Sequence, residues 1–438
     1  MRTLTMLSRR NFLPALAALA FAAPLAAQQA PATDEARFQP PTVVQYLRPY
    51  DKRGINMFET PKVENVPYTG FALQWGAAFT QQFQGLSHET ASSTALKPIG
   101  NGFNNATANL YMNAQVAPGI RVQLTTYLSS RRHPETYVKD GFLQVDASPL
   151  DVPLFHEIMK VTTLKIGHFQ VNYGDFQFRR TDNGNAMYNP LVGNALMDAF
   201  TTEVGVEAIV QKNGLFGVVA ATGGEIKGRV DLPDNRAPAY MVKGGFDRQL
   251  NDDLRVRLSG SYRTTASSIN NSIYSGDRAG SRYYYVLENT AATESAQATS
   301  GRVDPGFTDK QSGFMINPFV KFRGAEFFGM YEQAQGRSAA ETTEREVTQL
   351  MAEGVYRFGR TESTYLAARW NNVSGDLGAA APDADVTRIN FGGGWYVTPS
   401  LLMKAEWVNQ EYKGFVGAAD TRNGGKFKGF MIEAVLAF

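Results

Sequence analysis

The sequence of 438 residues contains no cysteine, so neither a disulfide framework nor thiolate chemistry is open to it. An excess of one charge is missing as well: 43 Lys and Arg stand against 41 Asp and Glu, which excludes a polycation built for nucleic acid. Histidine is scarce, and His88, His133, His156 and His168 lie too far apart to give a metal-ligand spacing. No Gly-rich phosphate cradle ending in Lys and Ser/Thr occurs, and no G-x-S-x-G elbow. Nothing singles out a Ser, a His and a carboxylate as a set, so no enzyme, cofactor or metal is predicted. Beyond residue 27 no apolar run reaches the roughly 18 residues of a spanning helix.

What is present favours strands and turns. Aromatics make up 12% of the chain and charged residues only 19%, with 41 Gly, a mixture that suits short strands better than charged helices. At the start, Arg2, Arg9 and Arg10 precede an apolar, Ala- and Leu-rich stretch from Phe12 to Ala27, which reads as a cleavable export signal over 1–27. Pro14 and Pro24 interrupt it, and it is too short for a retained anchor. Ser8-Arg9-Arg10-Asn11-Phe12-Leu13 resembles a twin-arginine signal, but a chain that folds only in lipid cannot be exported folded, so the general secretory route is expected. Cleavage removes three basic residues and no acidic ones, leaving 40 against 41.

After residue 69 the pattern has period two. In 71–80, Phe71, Leu73, Trp75, Ala77 and Phe79 share one face, and Ala72, Gln74, Gly76, Ala78 and Thr80 the other. In 254–263, Leu254, Val256, Leu258, Gly260 and Tyr262 oppose Arg255, Arg257, Ser259, Ser261 and Arg263. About 16 such strands are predicted, near 70–84, 104–117, 120–130, 137–147, 161–172, 200–211, 214–222, 238–249, 253–265, 313–323, 325–335, 345–358, 362–373, 385–397, 400–412 and 427–438.

Alternation alone also fits a soluble sandwich, but the links between strands discriminate. Pro118-Gly119, Asn213-Gly214, Asn251-Asp252, Arg323-Gly324, Gly359-Arg360 and Thr398-Pro399 are tight turns. They alternate with long polar links at 85–103, 129–136, 173–199, 223–237, 266–312, 336–344, 374–384 and 413–426, and only 147–160 breaks the short set. This is the asymmetry of an outer-membrane barrel, with short periplasmic turns and long extracellular loops. The last strand is apolar at every second residue through Phe430, Ile432, Ala434, Leu436 and Phe438, and resembles the terminal signal read by the barrel-assembly machinery. The expected fold is therefore all-β, a transmembrane antiparallel up-and-down barrel surrounded by outer-membrane lipid. At this strand number side chains cannot fill the interior, and a water-filled lumen for passive diffusion of small hydrophilic solutes follows.

Parity assigns lumen residues. Basic candidates are Arg121, Lys165, Lys243, Arg255, Arg257, Arg263, Lys321, Arg357, Arg369, Arg388 and Lys404; acidic ones are Glu203, Glu207, Asp247, Glu326, Glu332, Glu353, Glu406 and Glu433. Arg255, Arg257 and Arg263 share a strand and suggest a cationic track, against the plainer reading that such charges pair with carboxylates and keep the wall hydrated. The link 173–199 carries Phe176, Phe178, Tyr188, Leu191, Val192, Leu196 and Met197, more large apolar residues than a solvent loop needs. It is expected to fold inward with Arg179, Arg180, Asp182, Asn183 and Asn185 setting the width and field of a constriction; a self-packed extracellular cap is the alternative.

The stretch 164–174 (LKIGHFQVNYG), followed by FRRTDNG, resembles the corresponding strand and loop of the phosphate-selective porins O and P and their wider porin relatives. The matching text covers about one tenth of the chain, while the strand order runs through all of it. The resemblance implies a passive, usually trimeric channel for small anions such as phosphate, in which the third long loop narrows the pore. Lys165, Arg179, Arg180 and Arg255 are the positions it carries into selectivity. The balanced lumen and near-neutral mature charge depart from a phosphate-selective pattern.

Two further readings stay open. Residues 28–69, rich in Pro and mixed charges, form either a periplasmic extension or a small hatch, and with an apolar interior such a hatch would gate a channel for hydrophobic substrates. The long link 266–312, with Tyr283, Tyr284 and Tyr285, would alternatively make an adhesin-like surface for a partner.

Overall fold

Seventeen strand segments follow one another in a computed structural model of the chain, which describes residues 42–60, 62, 66–129, 135–276, 282–297 and 299–438. The export signal read at 1–27, most of the stretch before Thr42, and His133 lie outside the described residues. The segments are β1 (Ala72–Glu89), β2 (Gly102–Phe103), β3 (Thr107–Ala117), β4 (Ile120–Leu128), β5 (Thr136–Val145), β6 (Thr162–Gln170), β7 (Thr202–Lys212), β8 (Leu215–Thr222), β9 (Ala239–Gln249), β10 (Leu254–Thr265), β11 (Lys310–Phe322), β12 (Ala325–Arg337), β13 (Arg345–Phe358), β14 (Thr364–Gly375), β15 (Ala384–Thr398), β16 (Leu401–Lys413) and β17 (Lys426–Ala437). Two short helices, α1 (Pro153–Met159) and α2 (Glu294–Gln297), sit in links.

Apart from β2 and β3, every neighbour in sequence is an antiparallel neighbour in the sheet, and β1 also pairs with β17, so the sheet closes on itself. The two-residue β2 pairs with Phe83 and Gln84 of β1 just beyond the β3 ladder, so β2 and β3 together make one barrel strand and the count is 16. Closure leaves no edge with unpaired backbone donors and acceptors. The long β1 consists of 18 residues and the short β8 of 8, bracketing the 9–11 residues that a tilted strand needs to cross hydrocarbon.

The tight turns fall where Asn and Gly allow them. Asn213 and Gly214 both adopt positive φ (54° and 75°), the geometry of a two-residue hairpin whose twist matches its strands. All such turns gather at one rim with the C-terminus, and the link 146–161, which breaks the short set, is where α1 forms.

The distribution of side chains inverts that of a soluble protein. Trp75, Phe79, Leu110, Val206, Val219, Leu258, Leu366, Trp370, Phe391, Trp407, Ile432 and Leu436 are exposed on the outside, while Arg121, Glu203, Lys243, Arg257, Glu332, Arg369, Arg388 and Glu433 are buried within. Such a belt suits hydrocarbon, and in water it would be an aggregation surface. One bulge breaks the parity: the β4–β5 register shifts between Thr125 and Thr126, and both Lys139 and Asp140 turn inward.

Candidate functional site

The 31 residues linking β6 to β7, 171–201, run through the barrel rather than over it, and nearly all are buried. Their entry is fixed by Asp175. Arg257 donates to both its oxygens at 2.7 and 2.8 Å, Lys243 lies at 2.7 Å and Ser259 donates at 2.7 Å. Burial alone would raise the Asp175 pKa, but Lys243 and Arg257 hold it well below the usual carboxylate range. One turn later Arg179 reaches Glu353 at 2.8 Å and Glu326 at 3.4 Å, while Arg180 turns the other way to Asp198, with Nε at 2.9 Å.

The tip is a small hairpin. Asp182 and Asn185 exchange backbone hydrogen bonds of 2.8 and 2.9 Å around Asn183 (φ 50°) and Gly184. It is pressed onto the wall: Asn183 Nδ2 donates to the carbonyls of Ala108 and Leu128, Gly184 N–H to Asn109, and Thr80 Oγ1 to the Gly184 carbonyl. A Cβ at Gly184 would lie 2.6 Å from Ala108 Cα and 2.7 Å from the Ala78 carbonyl, so only glycine fits. Asp182 accepts from Tyr127 and from Lys139 at 2.7 Å. Burial pushes its pKa up, and Lys139 and Arg180 more than offset this and hold it down.

The returning half of the segment is pinned by charges that parity assigns to the lumen. Lys404 Nζ donates to the carbonyls of Ala186, Asn189 and Leu191 at 3.0–3.1 Å and is paired with Glu433. Arg369 donates to the Gly193 carbonyl at 2.6 Å, Arg388 to that of Asn194 at 2.7 Å, and Glu406 accepts from Val192 N–H at 2.8 Å. The link 266–309 joins it, with Tyr283 donating to Glu406 at 2.6 Å and Gly301 accepting from Arg388 at 2.7 Å. Val192, Leu196, Met197, Ile273, Tyr274, Val286 and Phe307 of these links pack with Phe319, Phe328, Met330, Met351, Val373, Val408 and Met431 of the wall. The expectation of a lumen too wide to fill is thus corrected for this side. Inward apolar residues on β11–β17 give the links something to bury against, and a hydrophobic core forms inside the barrel.

From the short-turn rim, residues 42–60 also enter. Lys52 N–H bonds the Pro399 carbonyl at 3.0 Å, Tyr50 stacks on Tyr111 at 3.7 Å, Asn56 donates to Glu326 at 2.8 Å, and Glu59 meets Arg257 at 2.8 Å and Lys243 at 2.9 Å. Between this segment, the segment 171–201 and the β3–β7 wall lies a cavity of about 180 Å³. Five basic residues line it, Arg48, Arg121, Lys139, Lys165 and Arg180, against Glu59, Asp140 and Asp182. A second cavity of about 510 Å³ opens at the short-turn rim, between Lys52, Arg255, Lys321, Arg323 and Glu362 among others.

Of the residues singled out in the sequence, Arg121, Lys165, Arg180, Asp182 and Asn185 line the first cavity together. Arg179 and Asn183 do not; they are buried in contacts that hold the segment in place. Arg255, Arg257 and Arg263 are no open cationic track. Arg255 binds Asp247 at 2.7 Å, Arg257 is taken by Asp175 and Glu59, and Arg263 by Glu203 at 2.5 Å, because each faces a carboxylate across the lumen or on the next strand. Arg48, Lys139 and Asp140 escape the sequence reading, the first because 42–60 has no periodicity and the others because of the bulge. Among the described residues no cluster suited to a metal ion occurs.

Neither a protein-family model nor a curated protein sequence matches the chain. Among solved structures, the chain resembles an anion-selective porin from Comamonas acidovorans, with a TM-score of 0.53 and 10% identity over 84% of this chain and 100% of that one. It also resembles OmpT, an outer membrane protein of Vibrio cholerae folded in vitro, in its trimer form, with a TM-score of 0.51 and 14% identity over 84% and 100%. The likeness is one of fold.

Proposed function

We propose that this protein is an outer-membrane porin, a passive channel for small hydrophilic solutes, with the long links outside the cell and the tight turns in the periplasm. The observation that carries the reading is the inverted barrel, apolar outside and charged within, in which a cavity remains on the β3–β7 side. No catalytic step enters it. Five cations against three carboxylates in that cavity favour anions, and the resemblance of 164–174 to phosphate-selective porins makes inorganic phosphate one anion to test. Assembly as a homotrimer belongs to the same reading and is supported by the trimer form of the Vibrio cholerae barrel.

The test is single-channel conductance of the refolded mature protein in planar bilayers, with the reversal potential under a KCl gradient. Ohmic steps with a chloride-selective reversal potential are expected; silence from folded protein overturns the open pore. A gated variant of this reading is favoured by one feature, residues 42–60 inside the lumen. If they gate it, deleting 42–60 raises the unit conductance several-fold, whereas an unchanged conductance makes the segment a fixed part of the wall.

A further inference from the structure

We infer that the cavity beside β3–β7 is a binding subsite for a small organic anion with a flat apolar body and one carboxylate, and that Arg48 of the N-terminal segment recognises that carboxylate. The inference rests on the porin reading and specifies its solute.

Three of the five cations lining this cavity face a carboxylate, while Arg48 and Arg121 hydrogen-bond to neutral groups. Lys139 is matched by Asp182 at 2.7 Å, Lys165 by Glu207 at 2.9 Å and Arg180 by Asp198 at 2.5 Å. Among the described residues Arg48 hydrogen-bonds only to neutral groups. Its Nε and Nη2 donate to the Gly54 carbonyl at 3.0 and 2.8 Å, Nη2 also to the Phe178 carbonyl at 2.8 Å, and the guanidinium lies 3.9 Å over the Tyr188 ring. Nη1 makes no hydrogen bond among the described residues. A half-buried guanidinium with no carboxylate beside it is poorly solvated by its surroundings, and an arriving anion completes its coordination. The geometry is rigid, since the ring beneath and the two carbonyls fix the plane of the fork.

The rest of the lining is chosen for something flatter than an inorganic ion. Tyr50 and Tyr111 stand parallel, and Phe58, Phe142, Phe178 and Tyr188 bring further ring surface to the same space. Phosphate gains nothing from these rings, and a neutral sugar leaves the Arg48 charge unmet. A planar monocarboxylate uses both, its ring against the aromatic side chains and its carboxylate on Nη1 of Arg48.

The probe is benzoate, added to the folded full-length protein in detergent and followed by calorimetry and by saturation transfer to its ring protons. Saturable benzoate binding is expected, with acetate, benzamide, glucose and inorganic phosphate each at least tenfold weaker. Arg48→Gln is expected to weaken benzoate at least tenfold and to remove what acetate binding there is, and Arg48→Lys, which keeps the charge but loses the fork, to fall between. Because residue 48 lies outside the strands, the barrel of these variants is checked by its strand circular dichroism. Benzoate binding that is absent, that is equalled by phosphate or acetate, or that is unmoved by Arg48→Gln overturns the subsite. Conductance of the same preparation separates the two readings: open steps without benzoate binding overturn the subsite alone, and benzoate binding without steps overturns free diffusion alone.

Discussion

The two sides of the barrel interior are made by the same alternating strands and end in opposite states. On β11–β17 the inward positions include Phe319, Phe328, Met330, Met351, Val373, Val408 and Met431, and the links 171–201 and 266–309 fold down onto them. On β3–β6 the inward positions are Arg121, Gln123, Thr125, Lys139, Gln144 and Lys165, and a cavity remains. Burying one such apolar side chain is worth roughly 1.5–3 kcal/mol, so a handful of them recruits a link, and a wall without them keeps water. The charges follow the same division. On the filled side Arg369, Arg388, Lys404 and Glu406 serve link backbone, while on the open side they line the cavity.

The largest effect is expected where a buried charge holds the filled side together. Lys404→Met leaves Glu433 without its cation and three carbonyls of the inward segment without their donor. Losing one partner of a buried pair costs about 3–5 kcal/mol. Guanidinium unfolding in lipid vesicles is expected to show this loss, and amide exchange to rise at 186–197. A variant as stable as the parent, with these amides still protected, would mean that apolar packing alone fills this side.

On the open side a charge should tune ions and leave the fold alone. Arg121 donates to Gln123 at 3.0 Å and Gln144 at 2.7 Å along the cavity wall. A unit charge about 5 Å from an ion path in water is worth about 0.8 kcal/mol, with opposite sign for anion and cation, so Arg121→Gln is expected to lower the chloride-over-potassium permeability ratio by at most about 16-fold. The pairwise change of Lys404→Met with Glu433→Gln removes no net charge and is expected to leave the reversal potential where it was. If the paired change moves the potential as far as Arg121→Gln does, the filled side also conducts and the division fails.

How much of this the sequence reveals depends on range. Period two assigns a direction to each strand residue, which is why Trp75, Leu258 and Phe438 are legible as outward and Arg257, Glu353 and Lys404 as inward. It gives no partner. That Lys404 serves Ala186, Asn189 and Leu191 depends on a segment more than 200 residues away and on the closure that brings it near. Local register is equally hidden: a one-residue bulge turns Lys139 inward beside Asp140, and no residue type marks it. The apolar content of 173–199 is legible as a sign of packing, and Asn183-Gly184 carries the same turn signal as Asn213-Gly214. Arg179 and Arg180 look equivalent on paper. A short 3-10 turn over Phe176–Phe178 sends one into the filled side and the other to the edge of the cavity.

The smallest effect expected is with pH, and it tests whether the hairpin tip belongs to both sides. Asp182 lines the cavity, yet its burial is outweighed by Lys139 and Arg180, which keep its pKa below that of a free carboxylate. A carboxylate whose folded pKa is lowered stabilises the fold fully above its unfolded pKa, about 3.9, and loses that contribution as pH falls through the folded value. Between pH 8 and pH 5 Asp182 therefore stays ionised, bound to Lys139, and the tip stays on Ala108, Asn109 and Leu128. Conductance recorded across that interval is expected to be flat in its Asp182-dependent part, meaning that the parent and Asp182→Asn differ by a constant factor. A difference that closes as pH falls to 5 would show a carboxylate whose pKa burial has raised and which Lys139 no longer holds down, and the tip would then be a mobile part of the open side rather than its fixed boundary.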